Sequence, residues 1–140
     1  MYMSTIHLKI ITPKKIVREE DVNAVTMPAT DGEMTVLPRH TNLFALLQEG
    51  IIRIKKGETE DFLAIGGGYV ETDGKHLNIL VSRAYGQDEI DTNMTEQALQ
   101  NAKKILSQSK EKSERSQASM LLRRSLLDMK LLRKRRRGSS

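Results

Sequence analysis

The sequence predicts an α+β chain weighted towards β. A small antiparallel sandwich or barrel is expected over residues 1–88, followed by an αα-hairpin over residues 89–140. Three observations predict it. Short period-two segments fill residues 5–85, turn signals punctuate them at close spacing, and after Asp88 the apolar residues change to a helical repeat. A charge break accompanies the change. Residues 1–102 carry 10 Lys/Arg and 15 Asp/Glu, a balance of −5, whereas residues 103–140 carry 13 Lys/Arg and 3 acids, a balance of +10. The net charge of +5 over 140 residues therefore describes neither part.

Each element has its own local reason. Thr5-Ile6-His7-Leu8-Lys9-Ile10 alternates apolar and polar, the pattern of a strand with one buried face. Val22-Asn23-Ala24-Val25-Thr26-Met27, Ile52-Arg53-Ile54-Lys55 and His76-Leu77-Asn78-Ile79-Leu80-Val81 repeat it. Leu43-Phe44-Ala45-Leu46 and Phe62-Leu63-Ala64-Ile65 are continuous apolar runs, suited to strands buried on both faces. Asp31-Gly32, Glu49-Gly50, Lys56-Gly57, Gly66-Gly67-Gly68 and Asp73-Gly74 supply the turns. Beyond Asp88, Asn93-Met94-Thr95-Glu96 has the spacing of a capping box with Asn93 as N-cap. Ala98, Ala102, Ile105 and Leu106 then share one helical stripe. Ser107-Gln108-Ser109-Lys110 breaks it, and a second helix begins near Ser113 with Ala118, Leu121, Leu122, Ser125, Met129 and Leu132 as its seam. The seams are rich in Ala, Ser and Met, which suits a contact that can be remade. The end, Arg133-Lys134-Arg135-Arg136-Arg137-Gly138-Ser139-Ser140, is expected to be frayed and solvated.

Composition removes several classes of function. There is no cysteine, so disulfides, thiolate nucleophiles and the usual zinc-finger sites are excluded. The longest apolar run, Leu43 to Leu47, is far short of the ~20 residues of a membrane helix. Met1-Tyr2-Met3-Ser4-Thr5 lacks the basic and apolar regions of a secretory signal, so an intracellular soluble chain is expected.

No catalytic or metal constellation emerges. His7, His40 and His76 are too far apart for a local metal pair, and His7 and His76 read as surface or edge-strand imidazoles. Gly66-Gly67-Gly68 lacks the spacing of a phosphate loop and leads into a strand rather than a helix. Gly74-Lys75-His76 resembles the end of a P-loop, but His stands where Ser or Thr is required. Close backbone approach in tight turns explains both glycine clusters better. Glu19, Glu20, Asp21, Asp31, Glu33, Glu60 and Asp61 are read as solvated acids at turns. The basic C-terminal part has two readings. Phosphate contacts to nucleic acid would leave base stacking unserved, since the last 38 residues contain no aromatic side chain. A basic helical arm could equally dock on an acidic protein surface.

The block Ala29-Thr30-Asp31-Gly32-Glu33-Met34-Thr35-Val36-Leu37-Pro38-Arg39-His40-Thr41-Asn42-Leu43 resembles the epsilon subunits of F-type ATP synthases, whose pattern is (A/S)-x-x-G-E-(L/M)-x-(V/I)-x-P-x-H-x-x-(L/F). Gly50-Ile51-Ile52-Arg53-Ile54, Ile65-Gly66-Gly67-Gly68-Tyr69-Val70-Glu71, Leu77-Asn78-Ile79-Leu80-Val81 and Glu89-Ile90-Asp91 follow in the family's order and spacing. The opening from Thr5 to Pro13 resembles its first strand.

The resemblance implies a flattened, ten-stranded antiparallel β-sandwich for residues 1–88, docking on the gamma subunit and the c-ring, and a regulatory helix–turn–helix for residues 89–140. It implies a non-catalytic rotor subunit of the central stalk, coupling proton flow to ATP synthesis from ADP and phosphate. It also implies a hetero-oligomer, peripheral to the cytoplasmic face of the cell membrane, with no nucleic acid. By the same resemblance the hairpin can extend along gamma and inhibit ATP hydrolysis. Arg115, Arg123, Arg124, Lys130 and Arg133 are then candidates for contact with acidic segments of the catalytic beta subunits. Glu33 and His40 match positions near the c-ring and gamma. Ile90-Asp91 begins the family's ATP motif and Arg124 fits one of its arginines. Met94, Thr95 and Asp128 depart from the motif, so ATP sensing and a bound cofactor are not expected. The alternative is a nucleic-acid-associated β-domain with a basic helical arm, against which the acidity of residues 1–102 counts.

Overall fold

The computed structural model describes residues 4–134. The expectations for Met1, Tyr2 and Met3 and for the arginine-rich end at residues 135–140 lie outside them. The chain divides into two compact units, one ending at Gly86 and one spanning Gln87–Lys134.

The first unit is all β. Its strands are β1 (Ile6–Ile11), β2 (Ile16–Val22), β3 (Ala24–Ala29), β4 (Gly32–Val36), β5 (Leu43–Leu47), β6 (Gly50–Lys56), β7 (Thr59–Ile65), β8 (Gly68–Thr72), β9 (His76–Val81) and the short β10 (Ala84–Tyr85). They form one hydrogen-bonded path in the order β10-β7-β6-β3-β5-β8-β9-β1-β2, with β4 paired to β3. The path folds over itself where β3 meets β5 through the single pair Ala29 and Leu47, giving a sandwich of two layers. Every pairing is antiparallel except β1 with β9, which is parallel. Those two strands are distant in sequence, so no hairpin dictates their relative direction.

Alternation sets the core. Ile6, Leu8 and Ile10 of β1 and Leu77, Ile79 and Val81 of β9 point inward, and Val22, Val25, Met27, Ile52, Ile54, Leu63, Ile65 and Val70 join them. Fully burying side chains of this size contributes roughly 1.5–3 kcal/mol each. β7 ends on Leu63, Ala64 and Ile65, all buried, as its continuous apolar run predicts. β8 must pass close to β9: a Cβ on Gly68 would lie 2.0 Å from the Leu80 carbonyl oxygen.

Three local expectations are corrected. β5 is not buried on both faces. Phe44 is 62% exposed and Leu46 56%, because only the face carrying Leu47 reaches the core. The stretch from Val22 to Met27 is not one strand. It breaks at Asn23, whose side chain donates to the Ser4 carbonyl at 2.9 Å and accepts from the Gly57 amide at 2.6 Å, joining two turns. Glu19, Glu20 and Asp21 lie not in a turn but along β2, Glu33 lies in β4, and Glu60 and Asp61 lie in β7.

The second unit opens with a short 3-10 turn (Gln87–Glu89) and continues as α1 (Thr92–Gln108) and α2 (Lys112–Leu132). Asp91, not Asn93, is the N-cap of α1. Its carboxylate accepts from the Met94 amide at 3.0 Å, and the Thr95 hydroxyl donates to its carbonyl at 2.9 Å. The helix starts before Asn93 because Asp91, with extended φ of −86°, stands three residues ahead of an amide needing an acceptor. Ala102, Ala118 and Ser125 are buried in the seam, and Leu131 is also fully buried although the helical pattern did not single it out. The Gln87 side chain donates to the Leu131 carbonyl at 2.7 Å and also to that of Lys134, tying the base of α2 to the start of the unit.

Candidate interaction surfaces

The two candidates on the β unit are separated by β4. Glu33 sits at the start of that strand, exposed and opposite Pro28 of β3. His40 lies past the end of β4, in the loop leading to β5, with Nδ1 donating to the Thr41 carbonyl at 2.9 Å. That loop is fastened to the β8–β9 turn: the Arg39 amide donates to the Gly74 carbonyl at 2.9 Å. The approach demands unusual backbone on both sides. Arg39 has φ of 66° and Gly74 has φ of 91°, and a Cβ on Gly74 would lie 2.7 Å from the His40 carbonyl oxygen.

Asp73 fixes the same turn, accepting from the amides of His76 at 2.8 Å and Lys75 at 2.9 Å. Those backbone donors, His76 first, hold its carboxyl well below the usual carboxylate range. Beside it an open hollow of about 570 Å³ is lined by Asn42, Phe44, Glu71, Asp73, His76 and Asn78. Phe44 lies against Tyr69, with ring centroids 5.2 Å apart. This end of the sandwich combines a pinned loop, exposed apolar side chains and carboxylates. Among the described residues no group of three or more His, Asp or Glu could hold a metal ion.

The structure also joins what the sequence left apart. Parallel pairing of β1 with β9 sets His7 opposite His76, and pairing with β2 brings Asp21 and Glu19 to the His7 ring. The alternation of both strands marked these histidines as outward-facing. Nothing in the sequence marked them as neighbours.

On the helical unit the basic candidates divide by role. Arg115 is engaged at the inter-helix turn, where its guanidinium donates to the carbonyls of Leu106 and Ser109. A cation at these terminal carbonyls complements the dipole of α1. Arg123 and Lys130 are seven residues apart and so share a helix face, about 140° from the buried Ala118 and Ser125. Arg124 is exposed on the other flank, and Arg133 is the exposed C-cap of α2. Met120 and Leu126 stand exposed near the basic face, so it mixes cations with apolar side chains. Asp91, the partial match to a nucleotide motif, is occupied as the N-cap of α1. No helix among the described residues is long and apolar enough to cross a membrane.

Residues 5–87 match the family described as ATP synthase, Delta/Epsilon chain, beta-sandwich domain. The ATP synthase epsilon chain of Halalkalibacterium halodurans is 37% identical over 123 residues, covering 87% of this chain and 92% of that one. That of Herpetosiphon aurantiacus is 31% identical over 131 residues, covering 94% and 96%. Among solved structures, a chain of the Euglena gracilis mitochondrial ATP synthase, in an F1/c-ring assembly, superposes with a TM-score of 0.74 at 29% identity. The match covers 84% of this chain and 75% of that one.

Proposed function

This chain belongs to the ATP synthase delta/epsilon family, and we propose that it acts as the non-catalytic epsilon chain of the central stalk of a proton-translocating F-type ATP synthase. The β-sandwich docks on the gamma subunit and the c-ring, and the hairpin regulates. The protein is held at the membrane through the complex, on the cytoplasmic face of the cell membrane, and helps couple proton flow to ATP synthesis.

One observation carries this reading: the likeness to named epsilon chains runs through both units, reaching 94% of the chain in one relative. A β-sandwich alone would support only docking. The exposed Arg123, Arg124, Lys130 and Arg133 of the second unit support contact with acidic segments of the catalytic beta subunits. The pinned His40 loop, together with Glu33 on β4, supports contact with gamma or the c-ring. The relatives give the nucleic-acid alternative no support.

The test is ATP hydrolysis by the purified cognate catalytic complex, with either the full chain or a chain ending at Asp91 added. Both forms are expected to bind, and only the full chain to slow hydrolysis. Binding by both without inhibition would remove the regulatory role of the hairpin, and binding by neither would remove the docking role as well.

A further inference from the structure

β2 is joined to the sheet by its backbone ladder with β1, and most of its side-chain contacts are between charged groups. It is the last strand of the path, so β1 is its one backbone neighbour. Glu19 and Asp21 stand opposite Lys9 and His7 of β1. Arg18 and Glu20, on the alternate face, meet the other layer: Arg18 pairs with Asp61 at 2.7 Å and Glu20 with Lys56 at 3.2 Å. Within β2 Val22, its last residue, is buried and Val17 is half-buried against the core. Charges directed inward guard an edge against pairing with other chains. They also leave the strand little apolar burial to hold it in place.

His7 is the centre of these contacts. Its Nδ1 is 2.8 Å from an Asp21 carboxylate oxygen, and its Nε2 is 2.8 Å from a Glu19 carboxylate oxygen. A neutral imidazole carries one N–H and can donate to only one of them; the imidazolium donates to both. From β9, His76 presents its ring nearly perpendicular at 6.4 Å, and its Nδ1 faces the Asp73 carboxylate at 3.2 Å. Lys9 reaches Glu19 at 3.8 Å, and the Lys75 carbonyl accepts the His7 amide at 2.8 Å.

We propose that His7 is a protonation-operated clasp on the edge strand β2: charged, it ties Glu19 and Asp21 to β1 through both ring nitrogens, and neutral, it holds at most one of them and the strand opens locally. The hydrogen bonds to Glu19 and then Asp21 raise the His7 pKa above its ordinary 6.5, and His7 in turn lowers that of Glu19. A histidine raised in the closed state contributes fully below its ordinary value and loses that contribution as pH rises through the raised one. A carboxylate lowered in the closed state contributes above its ordinary value and loses that contribution as pH falls through the lowered one. The clasp is therefore closed from weakly acidic pH up to the raised His7 value and opens above it. Opening bares the hydrogen-bonding edge of β1, a template for pairing with another strand.

The ring is 39% exposed and its partners 43% and 65%, so solvent screens the pairs and the global unfolding midpoint is a poor reporter. Hydrogen exchange of the full chain reads local opening instead. It would be followed between about pH 5.5 and 8.5, bracketing the ordinary histidine value, and corrected for intrinsic rates. The β2 amides are expected to lose protection as pH rises, by about tenfold for each unit by which closing raises the His7 pKa, while β6 and β7 stay level. His7→Gln should show low, pH-independent β2 protection, and His76→Gln should keep the fall. A level profile in the unaltered chain, or an undiminished fall in His7→Gln, overturns the proposal. NMR titration of the His7 ring in the unaltered chain does not depend on any variant folding. A value above 6.5 is expected, and a value at or below it overturns the clasp.

Discussion

Asp91 and Arg115 show how a motif residue can be claimed by local structure. By resemblance Asp91 partly matches the start of the family's ATP motif, and in the fold its carboxylate answers the Met94 amide at the first turn of α1. Capping of this kind is worth about 1 kcal/mol, so Asp91→Ala should lower the stability of α1 by that order, read as lost helical signal and faster amide exchange near Thr95. With Asp91 engaged and Met94 and Asp128 at positions where the family motif has cations, titration with ATP should detect no sub-millimolar binding. Binding in that range would reverse the expectation. Arg115 was legible as a cation but not as a brace for the inter-helix turn. Its role depends on where the carbonyls of Leu106 and Ser109 end up, which no residue count reveals.

Elements carry the next level of information. β1 and β9 were readable because alternate residues do one job, and their inward sets are fully or almost fully buried. β5 misled because a continuous apolar run is consistent with burial on two faces or on one, and it leaves Phe44 and Leu46 outside. β2 misled in the opposite direction: Arg18-Glu19-Glu20-Asp21 lacks an apolar face, and only an edge strand tolerates that. Among the turns, the β8–β9 connection holds the His40 loop through a glycine in the left-handed region. Gly74→Ala should cost about 1–2 kcal/mol from backbone strain alone, and more from the close His40 carbonyl. Chemical denaturation would measure the loss, and shifts of the Arg39 and His40 amides would show the loop displaced. An unchanged spectrum there would mean the pinning is not real.

At the scale of the whole molecule the two units hold themselves together differently. The sandwich gathers large aliphatic side chains from nine strands around one core, whereas the described part of the hairpin buries Ala102, Ala118 and Leu131 with Thr95 and Ser125. Increasing urea should therefore strip exchange protection from α1 and α2 before β1 and β9, and loss of both in a single step would contradict it. The division into a β unit and a helical hairpin, the inward faces of most strands, and membership of the family were legible in the residues alone, because periodicity, turn residues and ordered motif blocks are written locally along the chain. It took the folded chain to set β1 parallel to β9, to place β2 at an edge with its charges paired, and to bring His7 to Glu19, Asp21 and His76. Those outcomes depend on which distant strands share hydrogen bonds, and that choice is settled by closing a common core rather than by any one segment's pattern.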